Sequence, residues 1–288
     1  MAEITAALVK ELRQITDAPM MECKKALTEA EGDVEKAIDV LRKMGVAKAS
    51  KKAGRDTNEG AVSAYVTDDG HKGGLVEVFC ETDFVGTNPK FTGFVEQVAK
   101  SVAENAPAAE ADINGLALNE GTVEEGLTDL IHTMGENMKI GRFISASIEN
   151  GGIASYIHGS KIAVLVTFAF SKPATYTSEV FKTFAHDVAM QVAATMPIAA
   201  RREDVDPATV EHEINLYKEQ AAESGKPEAI QEKMAQGRLE KFYKETVLTE
   251  QLFIKDSNKT VKQYQCETSK AVDDTIEIVS FDLLSIGD

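Results

Sequence analysis

Apolar residues in the first part of the chain recur at helical spacing in three segments. The N-cap residue Thr5 precedes the first segment, Pro19 opens the second, and Asp33 precedes the third. Gly45 then stands where a left-handed helix C-cap is expected, and a lysine-rich stretch comes after it. This pattern predicts a compact three-helix module and a basic linker, which together cover residues 1–55.

Beyond the linker the period of the pattern changes from helix to strand. Residues 60–67 alternate apolar and small polar side chains, residues 74–79 form an apolar run, and a helical pattern starts at Pro89. A similar succession returns at residues 152–157 and 161–166, again followed by a helical pattern. The sequence therefore predicts an internal duplication, in which each copy packs helices on one face of an antiparallel sheet.

The second copy carries an insertion at about residues 203–248. Two charged segments with narrow apolar stripes flank Ser224-Gly225-Lys226-Pro227, as is typical of an antiparallel helical hairpin. Residues 275–281 alternate and predict the closing strand. The predicted fold class is α+β, with a three-helix module, a duplicated core and an inserted helical hairpin. The predicted domains are residues 1–55, 56–140 and 141–288.

Composition narrows the functional class. The formal net charge is −16, although residues 1–55 alone carry 11 Lys+Arg against 9 Asp+Glu. So acidic a chain is expected to bind protein rather than nucleic acid, because phosphate contacts need clustered cations. Cys23, Cys80 and Cys266 are widely spaced and odd in number, which predicts a cytoplasmic protein without a disulfide framework or metal site. The longest apolar run, residues 162–170, is too short to span a bilayer, so no membrane contact is expected.

Two places carry more apolar surface than their surroundings can bury. Phe84 lies in the short connection between a predicted strand and a predicted helix, where it either fills the core or contacts a partner. Met20 and Met21 are adjacent at a helix start and cannot both face so small a core. Methionine pairs at such positions suit adaptable binding surfaces, but one buried and one idle methionine is an equally open interpretation.

Known catalytic motifs are absent from the sequence. It has no phosphate-binding glycine loop, no zinc-protease helix motif and no nucleophile elbow, and its five histidines are scattered. Cys80 and His158 are the residues from which a thiol-dependent hydrolase would be built. Because Cys80 follows an apolar strand, we interpret it as a buried strand residue instead. We expect neither catalysis nor a cofactor.

Several stretches resemble the translation elongation factor Ts family. They are Cys80-Glu81-Thr82-Asp83-Phe84-Val85, Met20-Met21-Glu22-Cys23-Lys24-Lys25-Ala26-Leu27, Gly135-Glu136-Asn137 and Ser155-Tyr156-Ile157-His158-Gly159. The N-terminal module is similar to the ubiquitin-associated-type domain with which that family opens. The resemblance implies a guanine nucleotide exchange factor that binds elongation factor Tu in its GDP form and promotes exchange of GDP for GTP.

The resemblance also implies a set of partner-binding residues. Asp83 and Phe84 would form a wedge beside the partner's magnesium and phosphate site. The other implied contacts are Leu12, Met20, Met21 and Lys24 of the module, Thr82 and Val85 beside the wedge, and His158, Phe253 and Ile254 of the core. The chain departs from the common family pattern at Phe79, at Gly141-Arg142-Phe143 and at Lys255.

Other interpretations remain open at this stage. The N-terminal module by itself is compatible with a non-catalytic adaptor of the ubiquitin-associated type. The exposed seam of the helical hairpin is a candidate for self-association or for a second partner contact.

Overall fold

The computed structural model describes residues 4–119, 121–223 and 225–287, without the side chains of residues 110 and 111. The N-terminal module consists of α1 (Ala6–Thr16), α2 (Met20–Glu29) and α3 (Val34–Lys52). Its N-caps are as predicted, since the side chains of Thr5 and Asp33 accept hydrogen bonds from Leu8 N and Lys36 N. A small core of fully or almost fully buried residues, including Leu12, Cys23 and Leu27, holds the three helices together.

The prediction that α3 ends at Gly45 was wrong. The helix continues to Lys52, so most of the predicted basic linker is helical. Gly45 is buried within α3, and a Cβ atom added there would lie 3.1 Å from Nδ1 of His132. Glycine therefore lets α3 lie close to His132 without a tight contact, and its backbone does not form a left-handed cap.

The first copy of the core follows the module. In chain order it contains β1 (Glu59–Val66), β2 (Lys72–Cys80), α4 (Asp83–Gly86), α5 (Pro89–Asn105), α6 (Glu110–Asn114), α7 (Val123–Met134) and β3 (Met138–Ser147). The three strands form an antiparallel sheet in the order β1-β2-β3. Because β3 pairs with β2 from Met138 to Ser147, the boundary predicted between residues 140 and 141 falls inside a strand of the first sheet.

The second copy repeats this arrangement. In chain order it contains β4 (Gly151–His158), β5 (Ile162–Ala169), α8 (Pro173–Thr177), α9 (Glu179–Thr195), α10 (Pro207–Ala222), α11 (Glu228–Thr246), β6 (Leu252–Phe253), β7 (Asp256–Thr260), α12 (Val261–Ala271) and β8 (Glu277–Ser285). Its main sheet has the order β4-β5-β8. Helices α5 and α9 each have 17 residues, start at residues 89 and 179, and end on left-handed caps at Ala106 and Met196. The predicted α+β fold with an internal duplication is confirmed.

The two main sheets face each other, and the long helices cover their outer faces. Side chains alternate along each strand, so Val76 faces α5 while its neighbour Leu75 faces the other sheet. In the second copy, Val164 and Val166 face α9 while Leu165 meets Leu75 between the sheets. The duplicated core therefore has four layers: helix, sheet, sheet and helix.

The predicted helical hairpin is formed by α10 and α11. Its base closes on a small apolar cluster that includes Ala199, Val205 and Val247. The predicted limits of the insertion were too wide at the C-terminal end, because Val247 and Leu248 are fully buried and Leu248 belongs to the main core of the second copy. Ser224, which the sequence assigns to the turn, lies outside the described residues.

Candidate partner-binding surface

Phe84 lies at the tip of a single helical turn that follows β2. Its side chain is 83% exposed, which makes it the most exposed large apolar residue of the described parts of the chain. In the same turn, Val85 packs against the first core and Gly86 is buried, whereas Asp83 is exposed like Phe84. The interpretation of Phe84 as a core plug is therefore wrong.

A reciprocal set of hydrogen bonds fixes the start of this turn. The Glu136 carboxylate accepts from Glu81 N at 3.1 Å, from Thr82 N at 3.0 Å and from Thr82 Oγ1 at 2.6 Å. In return, Glu81 Oε1 accepts from Asn137 N at 2.5 Å. Thr82 also caps the turn, since its Oγ1 accepts from Val85 N at 3.4 Å. Two chain segments more than 50 residues apart thus hold each other through backbone N–H groups and carboxylates.

A second exposed apolar surface lies on the N-terminal module. Met20 is 52% exposed and Met21 is 74% exposed, so neither methionine fills the module's core. With the exposed Lys24 they line a groove of about 700 Å³ between α1 and α2. Leu12, predicted as a contact residue, is instead fully buried, because the helical period places it on the inner face of α1 with Val9.

Polar contacts join the module to the first copy of the core. His132 Nε2 on α7 lies 2.5 Å from Glu22 Oε2 on α2, and Lys48 on α3 pairs with the other oxygen of Glu22. Burial alone raises the pKa of Glu22, but its hydrogen bonds with Lys48 and His132 outweigh burial and hold that pKa below the ordinary value. Lys90, next to the start of α5, also pairs with Asp17 at 2.7 Å.

The remaining predicted contact residues lie on the second copy of the core. His158 is exposed at the end of β4, with its Nδ1 3.1 Å from the Tyr156 hydroxyl. Phe253 is only 4% exposed and packs on the ring of Tyr264 with 4.8 Å between ring centroids. Its side chain therefore offers little surface to a partner, and its predicted contact stays a prediction. Its neighbours Leu252 and Ile254 are 58% and 44% exposed. Leu252 was not among the predicted contacts, although residues on either side of a buried strand residue face outward.

Comparison with known proteins decides the family. A model of the family described as Elongation factor TS matches residues 81–288. Elongation factor Ts of Clostridium kluyveri is 47% identical over 282 residues, which cover 96% of this chain and 91% of that protein. The corresponding protein of Desulfovibrio desulfuricans is 44% identical over 290 residues, covering 100% of this chain and 99% of that protein.

The chain belongs to the elongation factor Ts family. It is accordingly a translation elongation factor, and the turn that carries Phe84 lies inside the segment that the family model matches. Among residues 4–119, 121–223 and 225–287, no helix is both long and apolar enough to cross a bilayer.

Phe79 and Gly141, two positions where the chain departs from the common elongation factor Ts pattern, lie side by side in the structure. Glycine at position 141 leaves room for the ring of Phe79, because a Cβ there would lie 2.4 Å from a ring carbon. Arg142 donates two hydrogen bonds to the buried Glu77, from Nε and from one terminal nitrogen, each 2.9 Å from a carboxylate oxygen. Both contacts join β2 to β3, so these residues stabilise the first sheet.

The third departure, Lys255, lies beside the exposed Leu252 and Ile254. Lys255 Nζ is 2.6 Å from an oxygen of the buried Asp187, so this half-exposed lysine forms an ion pair with a buried carboxylate. Nearby, the fully buried Gln191 donates to Leu252 O at 3.2 Å and accepts from Ile254 N at 2.8 Å. The backbone of this segment is therefore fixed even though two of its side chains are exposed.

The geometry around Cys80 does not fit a thiol nucleophile. The thiol is buried, and its burial, with the Glu136 carboxylate nearby, raises its pKa to about 11. Its Sγ donates to Thr82 O at 3.1 Å. At neutral pH the group stays a protonated thiol, whereas nucleophilic cysteines need a lowered pKa and access to solvent. Within the described residues, no three His, Cys, Asp or Glu side chains are grouped as a metal site would require.

Proposed function

We propose that this protein is a guanine nucleotide exchange factor for elongation factor Tu. It binds the GDP form of that partner and promotes GDP release by inserting Asp83 and Phe84 beside the magnesium and phosphate site. The observation that carries the proposal is the exposure of Phe84 at 83% on a turn that Glu136 fixes from behind. Burial of a phenylalanine side chain contributes about 1.5–3 kcal/mol, so a fixed turn that leaves it in water needs a reason outside folding.

The exchange needs no bond-making chemistry by this protein. If binding of the exchange factor weakens GDP binding, GDP weakens the exchange factor's binding by the same free energy. The wedge therefore acts only if it contacts the nucleotide-free partner better than the GDP-bound partner. We accordingly regard the protein as a non-catalytic factor without a cofactor.

The helical module supplies a second part of the proposed interface. Met20 and Met21 are exposed beside Lys24 along a groove, and flexible methionine side chains adapt well to a partner surface. Leu12 contributes from beneath by holding α1 in place. On the second copy, we assign His158, Leu252 and Ile254 to the same interface, because they are exposed on rigid backbone.

The other predictions follow from the same proposal. The net charge of −16 favours a protein partner without direct contact to nucleic acid, and the free cysteines Cys23, Cys80 and Cys266 suit the reducing cytoplasm. The division into domains near residues 55 and 140 stays a prediction, with the second boundary better drawn after β3. Self-association through α10 and α11 also stays a prediction.

The deciding experiment measures release of fluorescently labelled GDP from elongation factor Tu. The unaltered protein should accelerate release, and Phe84→Ala should lower the maximal rate by at least about tenfold, which corresponds to about 1.4 kcal/mol. Val180→Ala is the matched control, because Val180 is an exposed apolar residue, 47% accessible, on the second copy. Equal rates for Phe84→Ala and Val180→Ala would refute the wedge.

A second measurement separates the module from the wedge. Replacing Met20 and Met21 together by serine should weaken binding to elongation factor Tu by about 2 kcal/mol, as loss of an interface hot spot does. Deletion of residues 1–55 should weaken it by at least as much. The serine replacement is the sharper variant, because both methionines are exposed and the module's core stays intact. Unchanged affinity of both variants in titration calorimetry would remove the module from the interface.

A further inference from the structure

The second copy of the core contains a counterpart of the Glu136 contacts. After β5, Asp274 accepts hydrogen bonds from Ser171 N at 3.3 Å and from Lys172 N at 2.9 Å. It also accepts from Ser171 Oγ at 2.8 Å and from Thr175 Oγ1 at 2.7 Å. In both copies a carboxylate just before the third strand of the sheet caps the turn just after the second strand.

The two capped turns carry different side chains. The two carboxylates accept from the backbone of Glu81 and Thr82 in the first copy and of Ser171 and Lys172 in the second, so these pairs correspond. Two positions further on, Ala174 stands where the first copy has Phe84, in step with the starts of α5 and α9 at residues 89 and 179. Ala174 is also exposed, but it offers only a methyl group. The same kind of carboxylate cap therefore precedes an exposed large apolar side chain in the first copy and an exposed small one in the second.

We infer that Glu136 is a positioning residue for nucleotide release, because it holds the turn in the conformation that presents Phe84. This inference rests on the exchange function proposed above. Helix α4 has only four residues, and an isolated helical turn is unstable in water. Apolar contact also favours a conformation in which the Phe84 ring folds onto the nearby surface. Three hydrogen bonds to one carboxylate oppose both tendencies.

The expected effect is on the population of the presenting conformation. If only a fraction of molecules presents Phe84, the maximal release rate falls in proportion to that fraction. The module and the second copy bind the partner independently of this turn, so the concentration that gives half-maximal release should change little. Glu136→Ala removes both acceptor oxygens, and with them all three hydrogen bonds, and should lower the maximal rate by about tenfold, since hydrogen bonds to a charged acceptor are of that strength. Glu136→Gln keeps one acceptor oxygen and should lower it less.

The matched control is Asp274→Ala, which removes the equivalent carboxylate from the second copy. It should leave the maximal release rate within about twofold of the unaltered protein, because a loosened second turn does not move Phe84. A structural readout independent of the partner is chymotrypsin cleavage, with the cut bond identified by mass spectrometry. Glu136→Ala should speed cleavage after Phe84, and Asp274→Ala should speed cleavage after Tyr176, because proteolysis requires local opening.

The set of variants distinguishes failure of this inference from failure of the proposed function. If Phe84→Ala releases GDP normally, the exchange mechanism is wrong. If Phe84→Ala is impaired but Glu136→Ala is not, or if Asp274→Ala impairs release equally, the positioning role of Glu136 is overturned. Adding Glu136→Ala to Phe84→Ala should cause no further loss of rate, because there is then no ring to present. Should Glu136→Ala fail to fold, Thr82→Val gives the same comparison at smaller amplitude, because it removes the 2.6 Å hydroxyl contact with Glu136 together with the longer 3.4 Å contact with Val85 N and leaves both backbone contacts of the carboxylate in place.

Discussion

The turn after β2 and the turn after β5 occupy equivalent places in the two copies. The first turn exposes its aromatic side chain to solvent, whereas the second packs its aromatic side chain against the core. In the first turn Phe84 is 83% exposed, and the buried Gly86 lies so close to β1 that a Cβ would be 3.0 Å from Gly60 O. In the second turn the residue equivalent to Gly86 is Tyr176, whose ring covers Gly152, because a Cβ at Gly152 would lie 2.4 Å from a ring carbon.

This difference separates what folding requires from what function requires. The second turn shows that an aromatic ring at this site is able to fill the space beside β4, where Tyr176 packs with Phe181 at 6.1 Å between ring centroids. The first turn fills the equivalent space with backbone and displays its ring instead. Since both copies fold with the same sheet and helix, the display of Phe84 is not a necessity of the fold.

The largest expected effect tests whether the two copies have equivalent cores. Phe91 and Phe181 occupy matching positions on α5 and α9 and are 0% and 1% exposed. Phe91→Ala and Phe181→Ala should each lower the free energy of unfolding by about 3–5 kcal/mol, because each leaves a large cavity. Urea unfolding measures both. A loss below about 1 kcal/mol in either variant would show that one copy does not depend on its helix.

The next effect concerns Tyr176, the aromatic residue that the second turn uses for packing. Tyr176→Ala should lower the free energy of unfolding by about 2 kcal/mol, less than a fully buried phenylalanine because the ring is only partly buried. Tyr176→Phe is the control, and it should be nearly neutral, since the hydroxyl's contact with Ile153 O is long at 3.5 Å. If Tyr176→Ala left the free energy of unfolding unchanged, the two turns would no longer differ in this respect, because neither aromatic ring would stabilise the fold.

Residue patterns predicted those parts of the fold that depend on local or periodic signals. The N-caps Thr5 and Asn88 act as expected, and the repeat of strands and helix after residue 150 revealed the duplication. Such features can be predicted from sequence because an N-cap depends only on residues of its own helical turn. Alternation along a strand likewise shows which side chains share one face of the sheet. The exposure of Phe84 was not decided by its surroundings in the sequence, since burial statistics alone favoured a core position.

The errors arose where distant residues decide the outcome. Gly45 lies inside a helix rather than at its end, and it packs beside His132, which is 87 positions further along the chain. Leu12 and Phe253 were predicted as contact residues from their matched positions in the family. In the structure Leu12 is buried with Cys23 in the core of the module, and Phe253 is buried against the ring of Tyr264. Glu136 belonged to a motif noticed in the sequence, but its hydrogen bonds to residues 81 and 82 appear only in three dimensions.

A smaller effect, dependent on pH, tests the carboxylate that caps the second turn. Burial alone would raise the pKa of Asp274, but hydrogen bonds from Thr175, Lys172 and Ser171 lower it well below its usual value. A depressed pKa in the folded state contributes stability above the unfolded pKa of about 4 and loses it as the pH falls through the folded pKa. Asp274→Asn should therefore lower the free energy of unfolding by about 1 kcal/mol at pH 7, with the difference shrinking below about pH 4. A difference that grew on acidification would contradict the assignment.

The smallest expected effect on stability belongs to Phe84. Phe84→Ala should change the free energy of unfolding by about 0.5 kcal/mol or less, because a ring that is 83% exposed gives up almost no buried surface. The same preparation should nevertheless be strongly impaired in GDP release from elongation factor Tu, so thermal unfolding and release are measured on one sample. Tyr176→Ala should show the opposite pair of results: a clear loss of stability, with normal release from the molecules that remain folded. If Phe84→Ala instead lowered the melting temperature as much as Tyr176→Ala does, both rings would serve the fold and the first turn would no longer be a display site.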